Sequence, residues 1–364
     1  MSAPPIRVLV VDDSALMRKL IPQILETDSS IQVVGTAMDG NFGLKKIEDL
    51  KPQVITLDLE MPGMGGLEML KEITRRYRIP VIVVSSHTTE GASVTLKALS
   101  LGAFDFVAKP SDVSSRMQEN GHELIAKIKA AAQSRGIQIA PPTSFAASGP
   151  RKVKISQKQP PTKIVAIGIS TGGPQSLQYL LAQLPNDFPG SIVVVQHMPE
   201  GFTEMFARRL DECCALNVKE VQSGDLLLAG RVLICRGSRH MKVKRLPLGD
   251  VAILSDDPQV NGHRPSADVL FKSVAEEFGE RAVGLIMTGM GEDGAHGLGL
   301  IKAAGGTTIA QSEQSCVVFG MPKAAIERGY AMRVVDLEAL AAALQAQCSV
   351  RNTSADKAMG ARQF

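Results

Sequence analysis

The strongest constraint on the fold is a repeated alternation of short apolar runs with amphipathic stretches. Leu16, Leu20 and Ile24 follow Ser14 at the spacing of one helix face. The apolar runs of this first region lie at residues 6–11, 31–35, 54–57, 81–84 and 104–107. Strands that alternate strictly with helices predict a parallel sheet that is covered by helices on both faces.

A second alternation of the same kind begins at Ile164 and continues to about Leu344. Its apolar runs lie at residues 164–168, 192–195, 232–234, 251–254, 283–287 and 307–310. Pro, Ser and basic residues dominate the stretch between the two alternations, as in a flexible spacer. We therefore predict an α/β protein with two doubly wound parallel-sheet domains. The predicted parts are a first domain, a linker, a second domain and a flexible tail, at residues 1–130, 131–162, 163–348 and 349–364.

Charge and composition exclude several classes of protein. The net charge of +3 over 364 residues is too small to indicate a nucleic-acid partner. No apolar run approaches the roughly 18 residues of a membrane span, and the N-terminus lacks a signal-peptide pattern. The five cysteines have no CxxC spacing, so we interpret them as small buried residues of a cytoplasmic protein. The sequence thus predicts neither nucleic-acid binding nor membrane insertion.

Acidic residues follow two of the predicted strands of the first region. Asp12 and Asp13 end the first run, and Asp58 ends the run at 54–57. The carboxyl ends of parallel strands line one crevice, so these carboxylates can converge on a divalent cation that prefers oxygen ligands. One of them could then accept a phosphoryl group. The alternative interpretation is that each acid only caps the helix that follows it.

Together with these acids, Ser85 and the pair Lys109-Pro110 closely resemble a response-regulator receiver domain, which has a flavodoxin-like fold. The resemblance implies that Asp58 is phosphorylated by a histidine kinase and that Lys109 contacts the phosphoryl oxygens. It also implies a cis peptide bond before Pro110. The Mg²⁺ ligands implied by the family are Asp12, Asp13, Asp58 and the carbonyl of Glu60, and the implied switch pair is Ser85 and Phe106.

A serine, a histidine and an acid follow three strands of the second region. Ser170 lies in a glycine-rich turn, His197 closes the run at 192–195, and Asp293 lies between glycines after the run at 283–287. A serine hydroxyl becomes a nucleophile when a base takes its proton, and an acid can orient that base. Each residue taken singly is equally explained as a turn or loop residue. The chain order Ser, His, Asp is not that of the α/β-hydrolases.

Five motifs make this region similar to the catalytic domain of the chemotaxis protein-glutamate methylesterases, which is Rossmann-like. They are GISTGGP, QHMPEGFT, NGHRPSADVLF, MTGMGEDGA and AQSEQSCVVFGMPKAA, at 168–174, 196–203, 261–271, 287–295 and 310–325. The resemblance implies hydrolysis of glutamyl methyl esters on chemoreceptors, with a chemotaxis histidine kinase as phosphodonor. It leaves glutamine deamidation open as a second activity, and it implies no cofactor for the ester chemistry.

The same resemblance assigns roles to individual residues. Ser170 is the expected nucleophile, His197 the general base and then acid, and Asp293 the residue that orients it. The expected oxyanion hole consists of the backbone N–H groups of Thr171 and Met290. The candidates for the substrate groove are Phe202, Thr203 and Arg264.

Two other functions compete with this prediction. A nucleotide-binding module could cradle phosphate on Gly168, Gly172 and Gly173, but no Lys-Ser or Lys-Thr follows as in a Walker A loop. A DNA-binding regulator would need a basic effector domain with a recognition helix, which the second region lacks. We further hypothesise that the unphosphorylated first domain docks over the cleft at Ser170 and that phosphorylation of Asp58 loosens it.

Overall fold

Both predicted sheets form. The computed structural model of the protein describes residues 4–86, 88–109, 117–134 and 159–349. The predicted linker and tail lie largely outside these residues, as does the predicted cis bond before Pro110. The domain limits therefore stay predictions.

The N-terminal sheet is fully parallel, with the strand order β2-β1-β3-β4-β5 of a flavodoxin-like fold. Its strands are β1 (Ile6–Val11), β2 (Ile31–Ala37), β3 (Val54–Asp58), β4 (Val81–Ser85) and β5 (Asp105–Ala108). Its helices are α1 (Met17–Leu25), α2 (Gly40–Leu50), α3 (Gly66–Arg76), α4 (Thr89–Ser100) and α5 (Met117–Gln133). Every side chain of β3 is buried, as expected for a central strand that helices cover on both faces.

The C-terminal domain has ten strands and six helices within the described residues. The strands are β6 (Ile164–Ile169), β7 (Ser191–Gln196), β8 (Asn217–Glu220), β9 (Asp225–Leu226), β10 (Arg231–Ile234), β11 (His240–Lys244), β12 (Val251–Ser255), β13 (Ala282–Ile286), β14 (Thr307–Gln311) and β15 (Arg333–Val335). The helices are α6 (Gly173–Ala182), α7 (Phe202–Cys213), α8 (Ala267–Phe278), α9 (Ala295–Ala303), α10 (Met321–Glu327) and α11 (Leu337–Cys348).

Seven of these strands form a parallel sheet in the order β15-β14-β13-β6-β7-β10-β8. The chain leaves the central strand β6 for β7 on one side and later returns to β13 on the other side. This reversal is a topological switch point, which opens a crevice beyond the carboxyl ends of the strands. The residues that follow β6, β7 and β13 therefore meet at one place.

The remaining strands form a small antiparallel sheet, β11-β12-β9, that the sequence analysis did not separate from the main alternation. The run at 251–254 belongs to this sheet. Strands β8 and β11 were missed because their sequences, NVKE and HMKVK, carry too few apolar residues to stand out.

The two domains pack directly on each other. Helix α4 contacts α7 and α6, and apolar residues from both domains form one continuous cluster. Members of the cluster on the contacting helices are Leu96 and Leu99 of α4, Leu177 of α6, and Phe202 and Phe206 of α7. The Gln175 side chain reinforces the contact by donating a hydrogen bond of 3.1 Å to the Ala103 carbonyl.

Among the described helices, none combines the length and the hydrophobicity that a membrane span requires.

Candidate functional site

The three N-terminal acids converge as their strand positions predict. One carboxylate oxygen each from Asp12, Asp13 and Asp58 lies within 4.8 Å of the others. The Lys109 Nζ lies 2.6 Å from Asp58 Oδ2 and 3.4 Å from Asp12 Oδ2. Burial raises the pKa of both Asp12 and Asp58, although the Lys109 ammonium opposes the shift. Bonds to the two carboxylates outweigh burial at Lys109 and raise its pKa.

The hydrogen-bond partners of the individual carboxylate oxygens show why the site suits a hard cation. Asp58 Oδ1 accepts from the Glu60 N–H at 3.1 Å, and Asp12 Oδ1 accepts from the Ser14 N–H at 2.9 Å. Asp12 Oδ2 is buried, and the Lys109 ammonium lies 3.4 Å from it. A cluster of three carboxylates matches the preference of Mg²⁺ for oxygen ligands.

The predicted switch residues lie on neighbouring strands, with Ser85 at the end of β4 and Phe106 in β5. The Ser85 hydroxyl accepts from Thr95 Oγ1 at 2.6 Å and lies 3.3 Å from the Gly91 carbonyl, so in this conformation it bonds to α4. Phe106 is buried and stacks on Phe202 of the C-terminal domain. The pair therefore connects the acid cluster to the boundary between the domains.

Ser170 sits in a tight turn directly after β6. Its N–H donates to the Thr288 carbonyl at 3.0 Å, and its carbonyl accepts from the Gly173 N–H at 2.7 Å. A Cβ on Gly289 would lie 2.8 Å from the Ser170 Cβ, and Gly172 has a φ of +72°. Glycine is needed at both positions, for close approach and for the turn, and Ser170 remains partly exposed.

His197 and Asp293 form the charged half of the site. His197 Nε2 lies 2.8 Å from Asp293 Oδ2, and the His197 N–H donates to the Ile169 carbonyl at 3.1 Å, next to Ser170. His197 Nδ1 is buried and has no hydrogen-bond partner in the described chain. The imidazole thus has one nitrogen on the acid and one lone pair that is free to take a proton.

The N-terminus of α8 holds Asp293 in place. Its carboxylate accepts from the Ser266 hydroxyl at 2.6 Å, from the Ala267 N–H at 2.7 Å and from the Asp268 N–H at 3.4 Å. Burial raises the pKa of Asp293, but the bonds to His197, Ser266 and Ala267 outweigh it and lower that pKa to about 2. Asp293 is therefore ionised at neutral pH, and a helix N-terminus favours that charge.

The two backbone N–H groups predicted for the oxyanion hole flank Ser170. Thr171 follows it, and Met290 follows Gly289, whose Cα lies against the serine. Within the described chain, neither N–H donates to a protein acceptor. Two unpaired donors beside a serine can stabilise an oxyanion that forms there.

The three groove candidates differ in what they offer a ligand. Phe202 is fully buried beneath Phe106, and Thr203 is fully buried with its hydroxyl 2.6 Å from Glu220 Oε1. Arg264 is half-buried and donates from Nη1 to the Asp256 and Asp257 carbonyls, while its Nε has no partner in the described chain. In this conformation, none of the three is a freely exposed contact surface.

Sequence reasoning did not identify the residues that support this site. The Thr288 hydroxyl donates to the Thr171 carbonyl at 3.0 Å, and Gln196 Nε2 donates to the Ser170 carbonyl at 3.0 Å. Ser266 lies inside the motif at 261–271, which assigns it no role. The one sequence signal for the role of Ser266 was its type, because a small polar residue directly before a helix is typical of a helix N-terminus.

A buried ion pair of the N-terminal domain lies close to the turn that carries Ser170. Lys127 Nζ lies 3.4 Å from Asp105 Oδ2, 2.8 Å from Glu123 Oε1 and 2.6 Å from the Phe106 carbonyl. Burial raises the pKa of Asp105, whereas Lys127 and the Thr171 side chain across the boundary favour its charged form. The N-terminal domain therefore reaches the loop that carries Ser170.

Comparisons with known proteins agree on both domains. Residues 165–344 match the model of the CheB methylesterase family, and residues 8–119 match that of the response regulator receiver domain.

Among curated proteins, the chain is 62% identical to protein-glutamate methylesterase/protein-glutamine glutaminase 2 of Koribacter versatilis, covering 97% of this chain and 99% of that protein. It is 46% identical to the protein-glutamate methylesterase/protein-glutamine glutaminase of Pyrococcus horikoshii, over 92% of this chain and 91% of that protein. Among solved structures, the CheB methylesterase catalytic domain of Thermotoga maritima is similar at 42% identity and a TM-score of 0.50, covering 50% of this chain and 97% of that one.

Proposed function

The chain belongs to the family of protein-glutamate methylesterases/protein-glutamine glutaminases, and we propose that it hydrolyses glutamyl methyl esters on chemoreceptors. The observation that carries the proposal is the set of groups around Ser170. The partly exposed Ser170 follows Ile169, whose carbonyl accepts from the His197 backbone N–H, and the His197 imidazole has Asp293 on one nitrogen and no hydrogen-bond partner in the described chain on the other. This arrangement supports acyl transfer through a serine nucleophile.

In the proposed reaction, His197 Nδ1 takes the proton of the Ser170 hydroxyl as Oγ attacks the ester carbonyl. The bond from the acyl carbon to the methoxy oxygen then breaks, and His197 gives its proton to that oxygen, which leaves as methanol. Water repeats the sequence on the acyl-serine, which releases the glutamate carboxylate and restores Ser170. Asp293 stabilises the imidazolium at both stages and needs no proton itself, since its pKa is lowered to about 2.

The N–H groups of Thr171 and Met290 would stabilise the tetrahedral intermediate. Each such donor is typically worth about 100-fold or more in rate, because it is already oriented before the charge develops. A primary amide presents the same carbonyl and loses ammonia in place of methanol. Glutamine deamidation is therefore a second proposed activity, favoured by the double name of the relatives.

The N-terminal domain would regulate this reaction through phosphorylation of Asp58 by a chemotaxis histidine kinase. Asp12, Asp13, Asp58 and the Glu60 carbonyl would hold Mg²⁺, whose charge offsets that of the phosphoryl oxygens. Lys109, now bonded to Asp58, would contact the same oxygens. We propose that the protein acts in the cytoplasm, with receptor and kinase partners of this kind.

The contact between the domains supports autoinhibition. Phe106 covers Phe202, and the Asp105 region adjoins the turn of Ser170. A phosphoryl group on Asp58 would change the bonding of Lys109 and the packing of β5, and the N-terminal domain would then separate from the cleft. A coupling of roughly 1–3 kcal/mol corresponds to a change of about 5- to 150-fold.

The test of the proposed activity is methanol release from methylated receptor fragments by the full chain and by Ser170→Ala. We expect the variant to lose methanol release and to keep both phosphorylation of Asp58 by a small-molecule phosphodonor and the thermal unfolding of the native chain, which together report that both domains are folded. Retention of esterase activity by Ser170→Ala would refute the nucleophile assignment.

A further inference from the structure

A second histidine lies flat against the proposed catalytic imidazole. The rings of His263 and His197 are stacked, with centroids 4.0 Å apart and planes only 9° apart. The family resemblance and the proposed chemistry give His263 no role. Its distance and nearly parallel orientation nevertheless place its ring against the face of the imidazole that would carry the proton.

A rigid turn holds His263 there. Val260 and His263 exchange backbone hydrogen bonds of 3.1 and 2.9 Å. The two residues between them, Asn261 and Gly262, have φ values of +52° and +75°, as in the tight turns that reverse a hairpin. Asn261 Nδ2 also donates to Asp268 Oδ2 at 2.9 Å, on the helix turn that holds Asp293. His263 is therefore fixed relative to the acid of the site.

The stacked ring is neutral at ordinary pH. Burial first, and then the neighbouring His197, lower the pKa of His263 to about 4, against opposing effects of Asp293 and Glu123. A neutral aromatic face attracts a cation that lies over it, whereas a second charged ring would repel one. The contact can thus persist when His197 takes up the serine proton.

The hydrogen bond to Asp293 does not by itself determine the plane of the His197 ring. Rotation about the Cβ–Cγ bond tilts the imidazole, and a tilt moves Nδ1 away from its working direction. A parallel ring at van der Waals distance opposes that rotation, because the edge of His197 would collide with His263. Misplacement of a reacting group by about 1 Å can cost on the order of 100-fold in rate.

We propose that His263 is a positioning residue: its ring lies against the face of His197 and holds that imidazole in the plane in which Nδ1 serves Ser170. The inference rests on the proposed function. It concerns the orientation of the His197 ring, which can be tested without turnover of substrate. The inference and the proposed function can therefore fail independently.

The experiment compares His263→Phe, His263→Leu and His263→Ala in the full chain. Phe keeps a flat ring without a titrating nitrogen, while Leu has a similar volume without a flat face. We expect kcat for methanol release to stay within about 3-fold of the native value in Phe and to fall about 10- to 100-fold in Leu and Ala, with KM nearly unchanged. If His263→Ala fails to fold, judged by thermal unfolding, the comparison of His263→Phe with His263→Leu decides.

NMR of the side-chain nitrogens of His197, in a Ser170→Ala background, reports the tautomer, which depends on a ring orientation that keeps Nε2 on Asp293. We expect one tautomer, protonated at Nε2 and bonded to Asp293, with His263 or Phe at the position, and a mixture with Leu or Ala. Equal kcat in Leu and Phe would overturn the proposal, as would an equal loss in all three variants or a single tautomer throughout. If the native chain has no esterase activity but the tautomer of His197 still differs between these variants, the proposed function is refuted and the inference on His263 is not.

Discussion

Phe106 of the N-terminal domain stacks on Phe202 of the C-terminal domain, with ring centroids 4.7 Å apart and planes 23° apart. Phe106 lies on β5, close in sequence to Lys109, which bonds the Asp58 carboxylate at 2.6 Å. Phe202 begins α7, shortly after His197. One aromatic contact therefore links the element next to the acid cluster with the element next to the proposed catalytic base.

Replacing Phe106 by Ala should weaken the contact between the domains. We expect basal methanol release to rise about 5- to 150-fold and the further stimulation by a phosphodonor to shrink, because the cleft is already uncovered. Phe42→Ala is the matched control, since Phe42 is 51% exposed on α2 of the same domain. An unchanged basal rate with normal stimulation would show that this contact does not restrain the enzyme.

Removal of divalent metal should abolish the stimulation by a phosphodonor and leave basal ester hydrolysis unchanged. With EDTA present, we expect the phosphodonor to lose its effect, because the carboxylates of Asp12 and Asp58 then repel the incoming phosphoryl group. The basal esterase rate should stay the same, since Ser170, His197 and Asp293 need no metal ion. The measurement is methanol release with and without phosphodonor, in EDTA and after Mg²⁺ is restored.

The change Asp293→Asn should reduce kcat by roughly four orders of magnitude, the size of the effect for the equivalent change in a Ser-His-Asp triad. An Asn amide can donate to His197 Nε2, so the imidazole proton moves to Nδ1 and the base is lost. Asp187→Asn, on the exposed surface, is the control. A kcat within 10-fold of the native value would contradict the proposed role.

The variant Asp293→Asn also tests the charge of Asp293, through the free energy of unfolding. Its folded pKa of about 2 lies below the ordinary 3.8, so the unfolded chain binds the proton first as pH falls. The stabilisation, about 2 kcal/mol, is present above pH ~4 and is lost as pH falls towards about 2. We therefore expect urea unfolding to show a free energy of unfolding that is higher in the native chain than in Asp293→Asn, by an amount that shrinks between about pH 4 and pH 2.

Ser266→Ala should lower kcat by about 10-fold while KM changes little, because it removes the 2.6 Å hydrogen bond that orients the Asp293 carboxylate. Ser273→Ala is the matched control. Ser273 lies on the same helix, is also buried, and bonds to Val243 and Leu270 and not to Asp293. Equal losses of kcat in the two variants would indicate general destabilisation of α8 and no effect on orientation.

Local pattern was sufficient to predict most of the fold. All five strands of the N-terminal sheet and the strands that precede Ser170, His197 and Asp293 lie where apolar runs predict them. Buried parallel strands are nearly continuous in hydrophobic residues, so they stand out in a sequence. The short antiparallel sheet did not stand out, because β11 is half polar and β9 has only two residues.

The sequence by itself determined two α/β domains, the acids at the ends of β1 and β3, and the residues that follow β6, β7 and β13. Those features depend on hydrophobic period and on the few residues that tight turns accept, both of which are local properties. Only the tertiary structure decided that Ser266 and the N-terminus of α8 hold Asp293, that His263 lies on His197, and that Phe106 covers Phe202. Contacts between residues far apart along the chain depend on how the sheets and helices pack, and no local pattern specifies that packing.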